Sequence, residues 1–370
     1  METKVVGIVT DPDLPNEIAN HLKDELPEVL AEGVTDKVAW EVRVKCESMP
    51  LNEDGNLVIW QNSQQLKNEE GYDYLICLTE LTRRLEDKLV LSDVNIDYDV
   101  ALISLPALGP VRLRRQVRNG IIRVVRVMVD DDLQPDREAT TKHRPMKLSN
   151  SMQAPVRQET EDREGRSTDS YLALEGFMAR IRLLLGMVRI NRPWRMLPSL
   201  SSAIAAAAAA AAFGIFFASI WTMADSLVPG RLLFISVIAM AAMVAWLIVY
   251  NDLWLRSRNV SLSQDVKLYN AATVLSLSVG VVCMYGFLLV VTFLGSLAVI
   301  PGDYFEKTLG HPITWLDYVE LAWLSSSMGT VAGALGSSFE SDAAVRQATY
   351  GKREKERHER ISENSGDNEE

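Results

Sequence analysis

The sequence predicts an α/β N-terminal soluble domain followed by an all-α transmembrane bundle of four helices. Three observations predict it. Short β-rich runs alternate with helical periodicities in the first third, four apolar runs of hydrocarbon length fill the second half, and Lys and Arg gather beside alternate ends of those runs. The 370-residue chain is 48% apolar with a formal charge of -11. That acidity argues against a nucleic-acid binder, which needs basic surface to displace phosphate counterions.

Residues 1–129 are expected to form the cytoplasmic α/β domain. Lys4 to Thr10 reads as a strand, Asp11, Pro12, Asp13 and Pro15 as a loop, and Ile18, Leu22, Leu26 and Leu30 as the apolar side of a helix. Val38 to Cys46 alternates as a half-buried strand does, and Leu57 to Asn68 supplies a second helix. Tyr72 to Leu78 and Asp99 to Leu105 are further apolar strands, and Val111 to Met128 continues as helix or as helix plus strand.

In open α/β sheets ligands collect at the carboxyl ends of strands. The candidate ligand-binding residues are therefore Asp11, Asp13, Thr79, Glu80, Arg83 and Arg84, with the Pro106 to Pro110 loop. A plainer role is open to the same residues: Asp11 and Asp13 as caps of the following helix, Glu80 and the arginines as a solvated face. No GxGxxG or GxxxxGK[ST] turn follows any strand, and no GxSxG elbow occurs, so nucleotide and serine-hydrolase chemistry lack their usual marks. His21, His143, His311 and His358 lie far apart, and Cys46, Cys77 and Cys283 are isolated, so neither a metal site nor a disulfide framework is expected. No catalytic residue and no cofactor follow from these residues.

Residues 130–169 are charged, poor in large apolar side chains and interrupted by Pro135, Pro145 and Pro155, the composition of a disordered linker. Residues 170–195 read as an amphipathic juxtamembrane helix, with Leu174, Phe177, Met178, Ile181, Leu184, Leu185 and Val188 opposite Glu175, Arg182 and Arg189. Arg182, Arg189, Arg192 and Arg195 are expected among anionic lipid headgroups, or as the charge that sets topology.

Residues 199–339 form the expected four-helix transmembrane domain, with spans near Ser199 to Ala224, Leu232 to Tyr250, Ala271 to Leu297 and Leu316 to Phe339. Basic residues concentrate before the first span, between the second and third (Arg256, Arg258, Lys267) and after the fourth (Arg346, Lys352, Arg353, Lys355, Arg357). The other two loops carry only Arg231 and Lys307, so both termini are expected in the cytoplasm and the chain in the plasma membrane. Thr314 and Asp317 have the spacing of a capping box. Ser325, Gly329, Gly333 and Ser337 recur every four residues, a small-residue face for packing within the bundle or for a homodimer contact. No ionisable residue falls in the middle of a span, which disfavours transport. Residues 340–370 read as a charged cytoplasmic tail.

The segments GIVTDPDLPNEIA, YDYLICLTELTRR, VALISLPALGPVRLRRQVRNG and WLSSSMGTVAGALGSSFESDAAVRQATYG together resemble an uncharacterised actinobacterial four-span membrane protein family, sometimes labelled 5,10-methylene-tetrahydrofolate dehydrogenase. The resemblance implies the four-span architecture. It implies no catalytic residue, because the Tyr-x-x-x-Lys and glycine-rich cofactor turn of the soluble folate dehydrogenases are missing. The leading functional expectation is a membrane-anchored cytoplasmic sensor or interaction module. The alternatives are an enzyme that uses the N-terminal domain, with folate chemistry as the labelled possibility, and a small transporter or channel.

Overall fold

The computed structural model describes residues 2–47, 60–85, 88–133, 156–162, 168–174, 177–196, 201–255 and 263–339. The expected tail, residues 340–370, lies outside them, as does most of the expected linker. The chain divides into two compact units, the first reaching Ile190 and the second beginning at Asn191.

The first unit is a doubly wound sheet with an antiparallel extension. Strand β1 (Thr3–Thr10) leads through α1 (Leu14–Leu22) and α2 (Leu26–Gly33) to β2 (Ala39–Cys46), which lies parallel to it. Helix α3 (Trp60–Glu70) then returns the chain to β3 (Tyr74–Thr79) on the opposite side of β1. Next come β4 (Arg83–Leu85), β5 (Lys88–Asn95), β6 (Val100–Ser104), α4 (Leu105–Leu108) and α5 (Leu113–Leu133). Strands β7 (Val156–Asp162) and β8 (Thr168–Leu174) complete the sheet, whose order is β2-β1-β3-β6-β5-β8-β7, with β4 paired to β5 off this path.

The side-chain period of two assigns the strand residues to faces. Val9, Leu75, Cys77, Val100 and Leu102 form one buried cluster with Tyr72, and Leu66 of α3 packs on it. Ile8, Ile76, Leu78 and Ile103 occupy the other positions and are fully or almost fully buried, with Ile103 meeting α5 at Gly120. Helices therefore cover both faces, which is why β1, β3 and β6 read as continuous apolar runs.

Two expectations need correction here. The presumed linker includes β7, Val156–Asp162, a strand because its backbone pairs with β8, which in turn pairs with β5. The presumed juxtamembrane helix begins with strand β8 and becomes helical only at α6 (Phe177–Asn191). A polar sequence such as VRQETED can be an edge strand, because there only one side of the ladder needs a partner.

The second unit contains α7 (Ser201–Phe216), α8 (Ala218–Asp225), α9 (Pro229–Tyr250), α10 (Ser263–Val299), α11 (Gly302–Leu309) and α12 (Trp315–Gly336). Among the described residues two helical stretches, Pro229–Tyr250 and Val266–Val299, are long and apolar enough to cross a membrane, so four spans are not established. A third exists if α7 and α8 count together, but they are bent by 86°. The single helix expected from Ser199 to Ala224 is thus broken at Phe217, whose backbone is extended. The indole Nε1 of Trp221 donates to the Gly214 carbonyl at 2.9 Å, satisfying an acceptor at the break. Trp221 also stands edge-on to Tyr304 and Phe305 of α11.

Helix α12 packs its small residues against α7. A Cβ on Gly329 would lie 2.5 Å from the Ala207 carbonyl oxygen, and one on Gly333 would lie 3.0 Å from the Ala203 carbonyl oxygen. Ser325 and Ser337 are buried on the same helix face. The expected small-residue face therefore packs against the chain's own alanine helix. The same Ser, Gly and Thr content makes α12 less apolar than α9. Thr314 and Asp317 do form the expected capping box.

Candidate functional site

The carboxyl ends of β1 and β3 meet where the chain order reverses: β1 connects to β2 on one side, and β3 arrives on the other. Such a switch point leaves a crevice between diverging loops, the usual ligand position in an open α/β sheet. Asp11 follows β1 directly, Thr79 ends β3, and Glu80 follows it.

These residues are joined. Thr79 Oγ1 donates to Asp11 Oδ2 at 2.7 Å, and the Glu80 amide donates to the same oxygen at 3.2 Å. The Leu81 amide donates to Thr79 Oγ1 at 3.0 Å, and Ser104 Oγ at the end of β6 donates to the Leu81 carbonyl at 2.7 Å. The Asp11 amide donates to the Leu78 carbonyl at 3.1 Å. Asp11 and Thr79 are 0% exposed, and Glu80 is 4% exposed. A carboxylate so deep is costly unless hydrogen-bonded, and here donors from the β3 side hold it.

Asp13 stands at the N-cap of α1 with φ 69°, ψ -125°, and makes no side-chain capping bond. Its carbonyl accepts the first helical bond, from the Glu17 amide, at 3.0 Å. A non-glycine residue at positive φ carries strain that surrounding structure must offset, a feature concentrated at functional loops. Arg83 and Arg84 belong to β4, where their backbones pair with Val90 and Leu89. Asp11, Thr79 and Glu80 are thus brought into direct contact, Asp13 is two residues beyond, and the two arginines lie on a strand running antiparallel to β5.

The Pro106 to Pro110 segment serves packing. Leu105, Pro106, Ala107 and Leu108 are buried, Gly109 turns the chain at φ 84°, and Gly186 of α6 lies against the Pro106 carbonyl. Arg182, expected among lipid headgroups, is buried and donates to the Leu108 carbonyl at 3.0 Å and to Gln116 Oε1 at 3.2 Å. Burial lowers the pKa of its guanidinium. It fastens α6 to α4 and α5 within the first unit.

Sequence reasoning missed Ser104 and Asn16. Ser104 sits at a strand carboxyl end like the others, so the same rule reaches it. Asn16 accepts from Thr10 Oγ1 at 3.3 Å and lies inside a helix, where no strand signal points.

No family model matches the chain, and no curated protein and no solved structure matches it. The resemblance to the four-span family gains no support from these comparisons, and function must be argued from the geometry.

Proposed function

We propose that this protein is a membrane-anchored module whose α/β unit binds a small polar ligand in the crevice between the ends of β1 and β3. The observation that carries this reading is the buried Asp11 carboxylate at the switch point, tied to the β3 loop through Thr79 and Glu80. Acidic groups there favour a ligand that offers hydrogen-bond donors or positive charge over a phosphate, which needs bare amides at a glycine turn. Because one carboxylate joins two loops, a ligand that competes for it shifts both, which is what a sensor requires.

In this reading the second unit crosses the plasma membrane four times, with both termini cytoplasmic. Exposed Phe234, Val237, Phe287, Val291 and Val331 support lipid contact, since a water-soluble unit rarely shows so broad an apolar surface. Trp246 and Tyr250 stack at the end of α9, and Trp315 opens α12, positions suited to the two water boundaries. Helix α7 has 16 residues, about 24 Å at 1.5 Å per residue, short of the roughly 30 Å core, so its crossing needs local thinning or part of α8. Arg189, Arg192 and Arg195 precede α7 in the chain and suit anionic headgroups on the cytoplasmic side.

The test uses the full chain in lipid nanodiscs, scanned for thermal stabilisation by amines, polyols, divalent cations, and NADP with folates. Stabilisation by a donor-bearing ligand that disappears in Asp11→Asn supports the crevice. Stabilisation by NADP with a folate instead supports the dehydrogenase reading. A ligand effect untouched by Asp11→Asn and Glu80→Gln overturns the proposed site.

A further inference from the structure

At the end of the second unit where α8 stops and α12 starts, three side chains remote in sequence converge. Asp225 closes α8, His311 lies between α11 and α12, and Asp317 is in the first turn of α12. One ligand atom from each lies within 4.8 Å of the others. The side chains of His311 and Asp225 are 41% and 33% exposed, so a dissolved ion can reach them.

The imidazole's surroundings say more than proximity. His311 Nδ1 is 3.1 Å from the Pro312 carbonyl oxygen, an acceptor that favours the tautomer with the hydrogen on Nδ1. His311 Nε2 is 3.0 Å from Asp225 Oδ1, a carboxylate oxygen, which also only accepts. With Nδ1 carrying the hydrogen, Nε2 meets the Asp225 carboxylate either through a second proton, as an ion pair, or through a metal ion shared by nitrogen and carboxylate. A metal-bound histidine normally has this arrangement, with the remote N–H donated to a carbonyl or carboxylate that fixes the tautomer.

Asp317 is prepared in a similar way. Its Oδ2 accepts from the Thr314 amide at 2.5 Å and from Thr314 Oγ1 at 3.1 Å, which orients the carboxylate. Ligating carboxylates are usually held by such outer hydrogen bonds. One imidazole and two carboxylates suit zinc and its first-row neighbours, with at least one position left for water.

We propose that Asp225, His311 and Asp317 form a divalent-cation site of the zinc class that ties α8 to the start of α12. For a tetrahedral ion with bonds near 2.0 Å the ligand atoms need to settle at about 3.3 Å from one another, so the His311–Asp225 pair at 3.0 Å opens slightly while Asp317 moves inward. Rotation of exposed side chains supplies that movement without displacing a helix. The site uses other residues, in the other unit, than the crevice proposed above, and neither depends on the other.

The experiment uses the full chain in detergent micelles, freed of any affinity tag and stripped with a chelator. Zn²⁺ should raise Tm with saturation at one equivalent, and Co²⁺ should give the visible absorption of a low-coordinate nitrogen–oxygen site. His311→Ala should weaken Co²⁺ binding by more than about 100-fold, beyond the loss of an outer-shell partner. Asp225→Asn keeps the shape of the side chain and should also weaken binding. No one-equivalent effect of either metal, or binding unchanged in both variants, overturns the proposal.

Discussion

Thr79 Oγ1 and Asp11 Oδ2 lie 2.7 Å apart although 68 residues separate them in the chain. The bond joins two adjacent parallel strands at the one end of the sheet where their loops part. Removing it without changing side-chain shape tests its weight. Thr79→Val leaves the Leu81 amide without its acceptor and takes a donor from a buried carboxylate. We expect a loss of about 1–3 kcal/mol in the first unit's stability, restored by Thr79→Ser, read by chemical denaturation.

The cysteines separate by reactivity. Burial pushes the Cys77 thiol up to about 12, with the Asp11 charge adding to the effect, whereas Cys46 is exposed. A maleimide should label Cys46 in the folded protein and reach Cys77 only on unfolding, checked by mass spectrometry of digests. The thiol is kept protonated in the folded state, and its ordinary value is 9.0. Its contribution to stability is full below that value and falls as pH rises from 9.0 towards about 12.

Arg182→Ala should loosen α6. The change removes a buried donor from the Leu108 carbonyl and the stem that packs beside Gly109. A cost of about 1–3 kcal/mol is expected, with faster hydrogen exchange confined to α4 and α6. A surface change such as Arg180→Ala, on an exposed residue of the same helix, should have little effect.

In the second unit, Gly329→Leu should force α12 away from α7, because the Ala207 carbonyl leaves no room for a side chain. Overpacking of this kind costs typically 1–3 kcal/mol. Val331→Leu, two residues on and 48% exposed, should leave the detergent-solubilised Tm unchanged.

Much of this architecture was legible in the chain. The β1-loop-α1 passage, the apolar β3 and β6, the position of α9 and the Thr314–Asp317 box all follow from local pattern. Asp11, Thr79 and Glu80 were reachable because the strand-end rule needs only strand boundaries. What escaped depends on tertiary pairing. Strand β7 reads as charged linker until β8 gives its backbone a partner. The break at Phe217 has no proline to announce it, and the Trp221 indole that meets the Gly214 carbonyl becomes a partner only once the chain has bent. His311 and Asp225 are 86 residues apart, so no local spacing connects them.

The two outermost strands of the sheet have a further consequence. One border, β2, carries Glu41, Arg43 and Lys45, and the other, β7, carries Arg157, Glu159, Glu161 and Asp162. A bilayer holds anchored molecules in one plane, where neighbours collide edge to edge far more often than in free solution. Unpaired amides along such borders invite strand addition between copies, and rows of charge oppose it. In the anchored arrangement proposed above, the charges of β2 guard that border against sheet-to-sheet polymerisation.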